Sequence, residues 1–123
     1  MQKQTIEDYL KNIYIIQKYH GTVYSIDIAI KMELSKATVS KAMHKLVQGN
    51  YITMDLDHSI HLTPKGEYIA RDTYLKYRTF LRILVSLGVS SDIASQDACN
   101  LEHAISMESF DAISTMLEFA ESW

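Results

Sequence analysis

The chain has 123 residues, a formal net charge of −3, 47% apolar residues and 22% charged residues, a globular balance that excludes an intrinsically disordered polymer. No run reaches the roughly 18 apolar residues of a membrane span, because Arg82 interrupts the greasiest stretch, residues 80–89. The single cysteine, Cys99, excludes an internal disulfide, and Met1-Gln2-Lys3-Gln4 leads straight into an amphipathic segment instead of a signal-peptide core, so a reducing, cytoplasmic setting is expected.

Four glycines and one proline leave few turns, which predicts a mostly helical chain. Thr5 is placed to cap a first helix whose apolar face is Ile6, Leu10, Ile13 and Tyr14, and His20-Gly21 ends it. Ser25 caps a short second helix carrying Ile26, Ile28, Ala29 and Met32, broken at Glu33-Leu34. Ser35 caps a third helix to about Gln48, with Val39, Ala42, Met43, Leu46 and Val47 inward and Gly49-Asn50 closing it. Residues 51–54 and 59–62 alternate around Asp55-Leu56-Asp57-His58, the pattern of a small β-hairpin. Thr63-Pro64 opens a long fourth helix to about Leu87, ended by Gly88. A fifth covers about 91 to 105, and a sixth starts at Ser106 and buries Phe110, Ile113, Met116, Leu117 and Ala120.

The net charge alone argues against a nucleic-acid binder, but its distribution does not. Residues 35–54 carry three lysines and no acid, whereas residues 89–123 carry seven acids and neither lysine nor arginine. Such asymmetry points to two jobs in one chain. The predicted fold is mainly α with a small β-hairpin wing: an N-terminal winged helix-turn-helix over residues 1–72, then a helical dimerisation domain over 73–123. On the third helix the inner positions are apolar, and most of the polar ones fall opposite. Ser35, Lys36, Thr38, Ser40, Lys41 and Lys45 are therefore the candidate DNA-binding residues, lysines drawing phosphates and short hydroxyl side chains approaching base edges. With His58 and His61 set against Asp55 and Asp57, the hairpin is expected to make modest contact.

In the acidic third, Cys99, Glu102 and His103 stand at i, i+3 and i+4, one face of a helix. A thiolate, a carboxylate and an imidazole at that spacing suit one cation, although each has an ordinary structural role as well. A Cys99 nucleophile served by His103 lacks a Gly-rich elbow, an oxyanion-hole loop and a third orienting group, so the chain is read as a non-enzyme.

These elements, taken together, resemble the diphtheria toxin repressor and manganese transport regulator family of metal-dependent bacterial repressors. The resemblance rests on Ile6-Glu7-Asp8-Tyr9-Leu10, Ser40-Lys41-Ala42-Met43-His44-Lys45-Leu46, Leu62-Thr63-Pro64-Lys65-Gly66, Leu87-Gly88-Val89 and Ala98-Cys99-Asn100-Leu101-Glu102-His103, followed by Ser106. It is to the manganese-type members, which lack a C-terminal SH3-like domain. It implies a metal-dependent repressor of metal-ion homeostasis, with a divalent metal promoting binding of a homodimer, paired through its C-terminal helices, to a palindromic double-stranded DNA operator. No membrane partner is implied.

By the same resemblance Glu102 and His103 match metal ligands, Cys99 matches the cysteine ligand of iron-responsive members, and Asp8 matches the first-helix ligand of manganese-responsive ones. Thr5-Ile6-Glu7-Asp8 also reads as an acidic capping box, which would occupy Asp8 without any metal. Lys11 stands where manganese-type relatives carry a second carboxylate, and Tyr77 where a histidine is usual, which implies one metal site, with the Lys11 ammonium partly replacing a second cation. The thiolate favours Fe²⁺, Co²⁺, Ni²⁺ or Zn²⁺ over Mn²⁺, while the resemblance in architecture is to manganese-type members, so Fe²⁺ and Mn²⁺ are the expected effectors, with the others able to substitute in vitro. The alternative is a metal-independent winged-helix regulator with a degenerate metal site.

Overall fold

A computed structural model describes residues 1–121 as six helices and one hairpin, in the order α1 (Lys3–His20), α2 (Ser25–Met32), α3 (Lys36–Gln48), β1 (Ile52–Met54), β2 (Ile60–Leu62), α4 (Pro64–Ser86), α5 (Ser91–Leu101) and α6 (Met107–Glu121). Among the described residues, no helix is long and apolar enough to cross a membrane. The chain divides into two compact units, Met1–Thr73 and the residues from Tyr74 onward, so α4 contributes to both.

The first unit is built on a single apolar cluster. Leu10 and Ile13 of α1, Ile28 of α2, Val39, Met43 and Leu46 of α3, and Ile52 and Ile60 of the hairpin are among its most deeply buried members. Burial of this many aliphatic side chains, at about 1.5–3 kcal/mol each, fixes three short helices that would be marginal alone. α1 begins three residues earlier than expected, capped at Gln2 instead of Thr5. The Gln2 carbonyl accepts the Ile6 N–H at 3.1 Å, so Thr5 lies inside the helix and does not cap it. Val47, expected inward, is 41% exposed.

In the hairpin Ile52 pairs with Leu62, Thr53 with His61 and Met54 with Ile60, which turns Ile52 and Ile60 into the core. Ile60 N–H also donates to the Val23 carbonyl at 2.8 Å, tying the hairpin to the α1–α2 connection. At its tip the His58 N–H donates to the Asp55 carbonyl at 2.9 Å, and His58 takes a left-handed backbone, φ 67°. The Ser59 hydroxyl donates to Asp57 Oδ1 at 2.7 Å and the Ser59 N–H to the same oxygen at 3.0 Å. These two bonds, the hydroxyl's first, hold the Asp57 carboxyl below its ordinary value of 3.8.

A carboxylate lowered in the folded state contributes stability above its unfolded value and loses it as pH falls through its folded value. The hairpin tip is therefore expected to loosen only in acid, below about pH 4. Faster exchange of the Ser59 amide in that range, absent in Asp57→Ala, is the measurement that checks it.

The second unit packs Phe80 of α4, Ala98 of α5 and Phe110 of α6, with Tyr77, Leu81, Ile105 and Ile113 around them. The Phe80 and Phe110 rings meet tilted by 58°, centroids 6.0 Å apart, a favourable aromatic arrangement. Tyr77 shares a 2.8 Å hydrogen bond with the Ser95 hydroxyl, linking α4 to α5. α5 stops at Leu101, four residues short of expectation; the Ala104 N–H turns back to the Leu101 carbonyl at 3.1 Å. Ser106 then accepts the Ser109 N–H at 3.2 Å, capping α6. Of the five α6 residues expected inside, Phe110 is buried and Ile113 and Leu117 are half-buried, whereas Met116, 65% exposed, and Ala120 face solvent, as does Phe119.

Candidate DNA-reading surface and metal centre

α3 separates its faces cleanly. Val39, Ala42, Met43 and Leu46 are buried, which leaves Lys36, Thr38, Ser40, Lys41, His44 and Lys45 exposed together with Ser35. Ser35 is the N-cap. Its hydroxyl oxygen accepts the Thr38 N–H at 3.1 Å and donates to the Thr38 hydroxyl at 2.8 Å. Those two hydroxyl groups thus hold the start of the helix, while Lys36, Ser40, Lys41 and Lys45 present their polar ends outward. His44, polar in the sequence pattern of this helix but outside the candidate DNA-binding set, shares that exposed surface one turn beyond Ser40.

α3 is preceded by α2, whose first turn is ordered by Asp27: its carboxylate accepts the Tyr24 N–H at 2.8 Å. On the hairpin, Asp55 Oδ2 lies 2.8 Å from His61 Nε2, a carboxylate–imidazole contact half open to water. Asp27 and Asp55 are thus engaged in local contacts, while Glu33, the acid nearest the reader helix in sequence, is exposed.

Of the four residues assigned to a metal, Asp8 lies in the first unit, in the second turn of α1. It is half-buried, and its backbone carbonyl accepts the Asn12 amide at 2.8 Å. Because α1 begins at Lys3 and has no acidic residue in its first turn, the capping-box role for Asp8 is removed and its carboxylate belongs to the body of the helix. Lys11, one turn on, is buried.

The other three residues lie at the end of α5 in the second unit. Cys99 is half-buried. Glu102, the C-cap, keeps a helical backbone (φ −59°, ψ −26°) and its N–H still donates to the Ala98 carbonyl at 3.0 Å. Although the regular helix has ended, the i, i+3 relation of Cys99 and Glu102 is therefore preserved. His103 follows in the turn. Glu102 Oε1 and His103 Nε2 are 3.1 Å apart, and both side chains are almost wholly covered. A carboxylate removed from water is costly unless a cation or donors compensate it, and an imidazole against it is the pairing that metal-ligating residues bring. The donor set fits a divalent transition metal.

Comparison with known proteins places both halves. Residues 1–58 match the iron dependent repressor N-terminal DNA binding domain, and residues 63–122 the iron dependent repressor metal binding and dimerisation domain. The transcriptional regulator MntR of Salmonella typhimurium is 32% identical over 111 residues, which is 90% of this chain and 71% of that protein. The chain belongs to the iron-dependent repressor family. Another member, the HTH-type transcriptional regulator MntR of Bacillus pumilus, is 27% identical over 98% of this chain and 84% of its own.

Solved structures of this repressor family agree. The manganese regulator SloR superposes with a TM-score of 0.79 at 29% identity, covering 93% of this chain and 54% of its own. A manganese-dependent transcriptional repressor in complex with manganese gives 0.81 at 28% identity, over 93% of this chain and 53% of that one. The chain spans about half the length of these two solved structures. The N-terminal unit thus has the winged-helix fold of metal-dependent repressors, which are DNA-binding regulators of manganese- or iron-dependent type.

Proposed function

We propose that this chain is a metal-responsive transcriptional repressor, working as a homodimer that binds a palindromic double-stranded DNA operator more tightly when a divalent cation is present. Residues 1–72 serve as the DNA-binding domain, and residues 73–123 as the metal-binding and dimerisation domain. It is a cytoplasmic regulator without enzymatic activity. The observation that carries the reading is the covered Glu102–His103 pair, 3.1 Å apart, inside the segment that matches a metal-binding domain.

Asp8, Cys99, Glu102 and His103 would hold the cation, which supplies two positive charges to donors that are otherwise anionic or neutral. Two carboxylates, a thiolate and an imidazole span hard and soft donors, which suits Fe²⁺ and accommodates Mn²⁺, Co²⁺, Ni²⁺ or Zn²⁺. The buried Lys11 ammonium takes the part of a second cation, so each chain binds one metal. At the DNA, Lys36, Lys41 and Lys45 neutralise phosphates and Ser40 approaches base edges. Ser35 and Thr38 order the N-terminus of α3, whose unbonded N–H groups favour a phosphate. The apolar side chains that α6 leaves in water, Met116 and Phe119, support pairing with a second copy.

The test is fluorescence anisotropy on duplexes selected from a random pool, with Mn²⁺, Fe²⁺, Co²⁺ and Zn²⁺ compared separately. Operator affinity is expected to rise about tenfold to hundredfold with metal, a coupling of about 1.4–2.7 kcal/mol, with calorimetry giving one metal per chain. Equal affinity in chelator would overturn the reading and favour a metal-independent regulator.

A further inference from the structure

Where α3 gives way to β1, the backbone carbonyls of Gly49, Asn50 and Tyr51 follow one another, and the start of α4 takes all three. The Thr63 hydroxyl donates to the Asn50 carbonyl at 2.8 Å and to the Tyr51 carbonyl at 3.0 Å. The Thr63 N–H adds a second bond to the Tyr51 carbonyl at 3.0 Å. The Gly49 carbonyl accepts from Lys65 Nζ, also at 3.0 Å. That ammonium lies 4.2 Å from the centre of the Tyr51 ring, within reach of a cation–π contact. The same ring lies flush on Gly49, where an added Cβ would come within 2.7 Å of it.

Lys65 is exposed, so burial does not drive its ammonium to this place. What holds it is directional: a charge-assisted hydrogen bond and a ring face, both at the negative end of a helix. Gly49 is the C-cap of α3, so these contacts act on the end of the reader helix. Val39, Met43 and Leu46 bury their side chains and bring α3 close to the core, but hydrophobic contact carries no direction of its own. Side chains that read base edges must be held to within about 0.5 Å and 10–20°. A directional hold on α3 therefore bears on which bases are read, whereas attraction to phosphates depends little on it.

We propose that Lys65 is a positioning residue for operator recognition. Through the Gly49 carbonyl and the Tyr51 ring it sets the C-terminal end of α3, and so the aim of that helix, without itself touching DNA. The inference rests on the reading of the first unit as a DNA binder, and it gives the start of α4 a part in choosing the sequence bound.

The test separates aim from charge. The full chain with MnCl₂ is titrated against a duplex selected from a random pool and against mixed-sequence DNA, across about 50–200 mM salt. Lys65→Met is expected to weaken binding to the selected duplex about threefold to fivefold. Mixed-sequence binding and the salt slopes should stay close to those of the parent. Lys65→Arg keeps a cation for the ring and donors for the carbonyl, and should restore binding to the selected duplex. Gly49→Ala makes the same point with no change of charge: its methyl displaces the Tyr51 ring, and the loss should again fall on the selected duplex.

If Lys65→Met weakens both duplexes equally and flattens the slope by about 0.9, Lys65 is a phosphate contact and the proposal is overturned. Parental preference for the selected duplex in Lys65→Met and Gly49→Ala, with only a lower Tm, would make the contact one of stability alone and overturn it as well. In both cases the parent still reads DNA through α3. Failure of the parent protein to bind any duplex would overturn that reading and the proposal together.

Discussion

Glu102→Gln is expected to abolish the response of operator binding to metal while leaving the fold intact. Glu102 is 1% exposed, and the amide nearly matches the carboxylate in volume, so no cavity is made. What changes is charge: a neutral amide is a poor ligand for a divalent transition metal and needs no countercharge when buried. The metal-free variant should therefore melt no lower than the parent.

The parent should gain stability with saturating metal, about 2.7 kcal/mol at a hundredfold excess over its dissociation constant, seen as a rise of several degrees in Tm. The variant should gain almost nothing. His103→Ala should also lose the metal response, and in addition lose stability without metal, because Glu102 then keeps a buried charge without the imidazole 3.1 Å away. Pairing the melts with anisotropy on the selected operator separates a lost metal site from a lost fold. A full metal response in Glu102→Gln would remove Glu102 from the site.

Elements whose stabilisation is local were the most readable in the sequence. The alternation in residues 51–54 and 59–62 gave the hairpin, because a two-residue period admits one inward register. The cap at Ser35, proline at the first position of α4 and the glycine after it at 88 are local devices, and each stands where its chemistry places it. The misses have different causes, and the cap expected at Thr5 shows that a local device can fail too, since the helix starts at Lys3. Residues 102–105, Glu-His-Ala-Ile, contain nothing that forbids a helix, so α5 was expected to continue; it ends because the backbone turns back on Leu101 and Ser106 caps the next helix. The Val23–Ile60 bridge joins residues 37 apart, beyond any periodicity. Met116 and Ala120 kept the helical spacing of a buried stripe, but spacing reports a face and not what covers it. For the metal site, residue types and spacing nominated Cys99, Glu102 and His103, while Asp8 came in only through resemblance to a family.

Gly66→Ala should destabilise the protein by roughly 2–3 kcal/mol, against the trend for glycine in a helix. On propensity alone the change ought to stabilise by up to about 1 kcal/mol. Gly66 lies in the first turn of α4, where its N–H donates to the Thr63 hydroxyl at 3.1 Å. Thr63 in turn donates its N–H to the Tyr51 carbonyl at 3.0 Å, and its hydroxyl is shared between the Asn50 carbonyl at 2.8 Å and the Tyr51 carbonyl at 3.0 Å. This draws the start of α4 against the entry to β1, and a Cβ on Gly66 would collide with the Tyr51 carbonyl oxygen. The obstacle is backbone, which cannot swing aside as a side chain can, so relief requires α4 to lift from the hairpin and stretch the Thr63 bonds to the Asn50 and Tyr51 carbonyls. Gly88→Ala is the useful contrast: Gly88 has φ 93° with open space around its missing Cβ, so its cost is backbone strain alone, about 1–2 kcal/mol. Urea unfolding of the two variants beside the parent would order them with Gly66→Ala the less stable. The reverse order would show that α4 is free to withdraw from the hairpin and that the contact at Tyr51 does not hold the wing in place.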